Sequence, residues 1–128
     1  MTVKNFLNYW RTTAERDLNV AEDLFKLGRY SYCLFFSHLA LEKLLKGLVF
    51  KKTNAHAPPI HNLVRLAQQA GLDLTYDQKK ELFEITSWNI ETRYDSYKLE
   101  FYKKANKEFT SAWFSKAKEF YTWIKNQF

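Results

Sequence analysis

Cysteine is almost missing from this 128-residue chain. Cys33 stands alone, so no internal disulfide can form, and a reducing cytoplasm is the expected location. Glycine (3) and proline (2) are equally scarce, which disfavours a loop-rich sheet protein and favours long regular elements. Long apolar runs are missing too. The opening Met1-Thr2-Val3-Lys4-Asn5 lacks the apolar core of a secretion signal. The most apolar stretch, Leu34 to Phe50, is interrupted by Ser37, His38, Glu42, Lys43 and Lys46. A membrane span needs roughly 20 consecutive apolar residues, so no membrane insertion is expected. Also lacking are a Gly-rich phosphate loop, a zinc-binding His-Glu-x-x-His and a Gly-x-Ser-x-Gly nucleophile elbow, which disfavours the enzyme classes built on them.

What is present is amphipathic periodicity. The length suits a single domain, residues 1–128, with one core. Leu7, Trp10, Ala14, Leu18, Ala21, Leu24 and Phe25 recur every three or four residues and predict a first helix from Phe6 to Leu27, capped by Asn5 and ended by Gly28. A second helix, about Ser31 to Lys52, is apolar around more than half its circumference and therefore needs neighbours on several sides. Its polar strip is Glu42, Lys43 and Lys46. Pro58-Pro59 breaks the pattern. A short third helix, His61 to Ala70, ends at Gly71, and Thr75-x-x-Gln78 has the spacing of a capping box that starts a fourth, running to about Asp95. Ser96 to Tyr102 is expected to be a connector. Phe109, Trp113, Ala117, Phe120 and Ile124 predict the last helix. The fold class is all-α, an up-and-down bundle of four or five helices.

The formal charge of +6 biases encounters toward anions, although the lysines are spread like an ordinary solvated face and not gathered into a nucleic-acid-binding tail. Four Trp and eleven Phe are a heavy aromatic load, and homodimerisation is one expected use of it. Candidate chemistry is sparse. His38, inside the second helix, should be a neutral, hydrogen-bonded imidazole. His56 and His61 flank the two prolines without the carboxylate or cysteine partners that specify a metal, so no metal or other cofactor is expected. Cys33 reads as a small core residue. Asp17 lies between Ala14 and Ala21 at helical spacing, so its carboxylate should turn inward and need a partner. Arg93 is the candidate, as a salt bridge joining the first and fourth helices. The alternative is an exposed Arg93, beside Tyr94 and Asp95, that grips a nucleotide phosphate or RNA backbone.

Several segments together resemble the HEPN superfamily of helical nucleotide-binding domains. They are Ala14-x-x-Asp17-Leu18-x-x-Ala21-x-x-Leu24, Gly28-Arg29-Tyr30-Ser31-Tyr32, Ser37-His38-Leu39-Ala40-Leu41-Glu42-Lys43-Leu44-Leu45-Lys46-Gly47, Pro59-Ile60-His61-Asn62-Leu63 and Thr92-Arg93-Tyr94-Asp95. The resemblance implies a bundle that often dimerises and is often paired with a minimal nucleotidyltransferase, sometimes as toxin and antitoxin. It also implies that catalytic relatives are metal-independent ribonucleases with an Arg-x(4–6)-His site shared across a dimer. This sequence has no histidine after His61, and the stretch following Arg93 presents Tyr97, Lys98 and Glu100 instead. Unperturbed tyrosine and lysine side chains have pKa values near 10, unsuited to replacing imidazole at neutral pH. The expected function is thus a noncatalytic module, with no catalytic residues. Arg93, Tyr94, Tyr97 and Lys98 would contact nucleotide or RNA, and Asp17, His38, Glu42, Lys46 and His61 would be structural polar residues. The alternative is a ribonuclease toxin with a degenerate site, borrowing a histidine such as His61.

Overall fold

The computed structural model describes residues 2–128. They form six α-helices: α1 (Val3–Lys26), α2 (Tyr30–Thr53), α3 (Leu63–Gln69), α4 (Tyr76–Thr86), α5 (Asp95–Lys104) and α6 (Lys107–Lys125), with a 3-10 turn at Ile90–Thr92. The bundle therefore holds six helices among the described residues, where four or five were expected.

The central element is α2. Its Leu34, Leu41, Leu44, Leu45 and Leu48 are at most 1% exposed, and it packs against α1, α3, α6 and, more lightly, α4 and α5. This is the multi-sided contact that its broad apolar surface requires. The α1 and α2 backbones come close at Gly47, where an added Cβ would stand 2.8 Å from Cβ of Trp10. Gly28 and Gly71 take the left-handed exits expected after α1 and α3, at φ 75° and 79°. A smaller cluster of Ala21, Cys33 and Phe114 closes the α1–α2–α6 side. Burial pushes the Cys33 thiol up to about 12, so it stays protonated.

Two boundaries differ from the periodicity. Thr2, not Asn5, caps α1, because Asn5 is already in the first turn and its N–H donates to Thr2 Oγ1 at 3.2 Å. The capping box at Thr75 and Gln78 forms as its spacing predicts. However, α4 stops at Thr86, well short of Asp95. Thr86 Oγ1 donates back to the Leu82 carbonyl (2.8 Å) and accepts the Leu63 N–H (3.1 Å), tying the end of α4 to the start of α3. Trp88 then turns fully into the core and donates its indole N–H to Glu84 Oε2 at 2.9 Å. The expected connector, Ser96 to Tyr102, lies inside α5, which buries Phe101 while Leu99 and Tyr102 remain exposed.

Candidate functional site

The buried carboxylate of Asp17 meets Lys43 on α2, with Nζ 2.6 Å from Oδ2. The expected pairing with Arg93 is thereby corrected. The long α1–α2 contact brings Lys43 over Asp17, whereas Arg93 belongs to the segment after α4 and is exposed. At that distance the ammonium neutralises the buried carboxylate directly.

Beside Lys43 on α2, Glu42 is the hub of a second group. It is 6% exposed, accepts His61 Nδ1–H at Oε1 (2.8 Å) and Lys46 at Oε2 (3.3 Å), and lies 3.8 Å from His38 Nε2. Because the His61 carbonyl can only accept, His38 Nε2 carries the proton and donates to it at 3.2 Å. The other ring nitrogen of His38 is buried without a partner among the described residues. Burial pulls the His38 pKa below its ordinary value, outweighing the opposing pull of Glu42. Together these contacts fasten the proline-containing linker to α2. They also orient the His61 ring, whose side chain is 49% exposed, with Nδ1 inward on the carboxylate. His56 is separate, packed on Phe6 and Phe50 with ring centroids 4.9 Å away in each case. Among the described residues, no three His, Cys, Asp or Glu side chains are grouped to hold a metal.

The four residues expected to contact a ligand gather at the start of α5. Arg93 lies over the Tyr97 ring, 4.8 Å from its centroid, and has no carboxylate within ion-pair distance among the described residues. Tyr97 is itself held, its hydroxyl donating to the Ser87 carbonyl at 2.8 Å. Its ring is therefore a platform for Arg93, not a free base-stacking surface. Tyr94, 88% exposed, is unencumbered, and Lys98 is half-buried.

A family model described as the HEPN domain matches residues 7–127. The chain belongs to the HEPN family. This HEPN protein is similar in fold to the crystal structure of TT1696 from Thermus thermophilus, with a TM-score of 0.77 and 19% identity over 95% of this chain and 98% of that one. A comparison with curated proteins gives no match. In this HEPN domain the spacing Arg-x(4–6) from Arg93 ends on Lys98, Leu99 and Glu100, on the first turns of α5. Sequence reasoning missed Lys43 as the partner of Asp17. The available signal was its place in the polar strip of α2, the helix that follows α1 through a tight Gly28 turn.

Proposed function

We propose that this HEPN domain is a noncatalytic, dimeric module that binds the phosphate of a nucleotide or RNA and serves as accessory partner to a minimal nucleotidyltransferase. The observation that carries the reading is the state of Arg93. Its guanidinium is exposed, free of carboxylates among the described residues and held over a ring that is itself pinned. A cation so positioned loses little freedom on gripping a phosphate. No imidazole follows it to move a proton, because all three histidines precede it. A second copy of the chain would cover Tyr76 and Phe83, which are 75% and 72% exposed and seven residues apart on one side of α4.

Arg93→Ala tests the reading. Since Arg93 supports no salt bridge among the described residues, the variant should keep its unfolding midpoint while RNA or nucleotide affinity falls about tenfold, the worth of one charge-assisted contact. Unchanged affinity would reject the site. Sedimentation should give the mass of a dimer, and co-expression with a minimal nucleotidyltransferase encoded beside it should yield a complex.

One observation favours a second reading, a ribonuclease toxin. Glu42 holds the Nδ1 side of His61, leaving an oriented imidazole partly open to solvent, an arrangement suited to acid–base work. RNA cleavage without metal that disappears in His61→Ala but persists in a folded Cys33→Ala control would favour the toxin.

A further inference from the structure

The α1–α2 turn and the end of α5 enclose a pocket of about 440 Å³ lined by Arg29, Tyr30, Ser31, Tyr32 and Tyr102. Its tyrosines are only partly used in packing, with Tyr32 52% and Tyr102 66% exposed. Arg29 is exposed and has no ion-pair partner among the described residues. Ser31 is 5% exposed and lines the pocket, yet its hydroxyl enters no hydrogen bond within the described chain. The pocket also receives the start of α2, a 24-residue helix with no side-chain cap and no acidic residue in its first turn. Its leading N–H groups and positive dipole end suit an anion. At the opposite wall the last turn of α5 has two of its end carbonyls occupied, with Ala105 N–H on the Phe101 carbonyl and Asn106 N–H on the Lys104 carbonyl, both 2.9 Å.

We infer that this pocket is a second nucleotide subsite, separate from Arg93. A phosphate sits against Arg29, the Ser31 hydroxyl and the first N–H groups of α2, and a base stacks on Tyr102 or Tyr32. Tyr94, Lys98 and Tyr102 recur at four-residue intervals, so one edge of α5 leads from Tyr94, the chain neighbour of Arg93, to the pocket. The path is about 12 Å, the rise of eight helical residues, longer than one nucleotide covers. The occupant is therefore a short single-stranded RNA, one phosphate at Arg93 and a later nucleotide in the tyrosine pocket. In this form the inference rests on the phosphate-binding reading of Arg93.

Fluorescence anisotropy with labelled oligouridylates of increasing length, in the presence of a chelator, tests it. Arg29→Ala and Tyr102→Ala alter exposed side chains, and circular dichroism should show an unchanged helical fold. Each should weaken the longer oligonucleotides about tenfold and a dinucleotide, which cannot span both sites, far less, whereas Arg93→Ala should weaken every length. If both pocket variants bind long oligonucleotides like the wild type while Arg93→Ala does not, the subsite is overturned and the Arg93 reading stands. If Arg93→Ala is silent and the pocket variants weaken all lengths, the subsite stands and the Arg93 reading falls. Failure of the wild type to bind any length overturns both.

Discussion

Asp17, Lys43 and His38 show how single residues carry the polar part of this fold. Lys43→Ala leaves a buried carboxylate with no countercharge, and the loss should be about 2 kcal/mol, tempered because the Lys43 side chain is 30% exposed. Chemical denaturation would measure it, and a change within error would show that solvent already screens Asp17. His38 sets a pH dependence. Its folded pKa lies below the ordinary 6.5 because burial disfavours the imidazolium. Between those values the unfolded chain binds the proton and the folded chain does not, so stability is full above about 6.5 and declines as pH falls below it. His38→Gln should flatten that part of the stability profile; an unaltered acid limb would assign it to other groups. At this scale the sequence made the need legible but not always the partner. An aspartate between two core alanines must be neutralised, yet whether Lys43 or Arg93 reaches it depends on how α2 is rotated against α1.

Among the elements, those with one long apolar stripe or a local stop signal were readable, and those shaped by a single distant contact were not. The periodicities of α1 and α6 and the Thr75–Gln78 capping box are local properties, and the structure holds all three. The early end of α4 comes from Trp88 entering the core and from Thr86 bonding to Leu63, partners 23 residues apart in sequence. The ten residues of α5 carry tyrosines on both its buried and its exposed sides, which blurs the period. The α1–α2 pairing has a sharper dependence, on Gly47. A methyl group there would meet Trp10 Cβ at 2.8 Å and the Phe128 ring at 3.4 Å, so Gly47→Ala should separate the helices and cost about 1–3 kcal/mol despite alanine's better helix propensity. A thermal midpoint equal to or above that of the wild type would show that the two helices give way at no cost.

At the scale of the whole molecule, the bundle fixes two different polar regions on one scaffold. The Glu42 hub binds the linker to α2 and uses its hydrogen-bonding capacity internally. Arg93 and Tyr94 at the head of α5, by contrast, are left exposed. The sequence pointed to both sets of residues, through the Glu42-Lys43-x-x-Lys46 segment and the position of Arg93, but their division into an internally satisfied group and an open one depends on tertiary packing. The net charge of +6 adds a long-range attraction for nucleic acid, so binding should weaken as salt rises. The proposed holding of RNA phosphate without cleavage is tested by incubating purified protein with end-labelled RNA and chelator at low salt, resolving one half of each sample on a native gel and the other half on a denaturing gel. A retarded band is expected on the first and full-length RNA on the second; free RNA on the native gel, or shortened RNA on the denaturing one, would overturn the proposal.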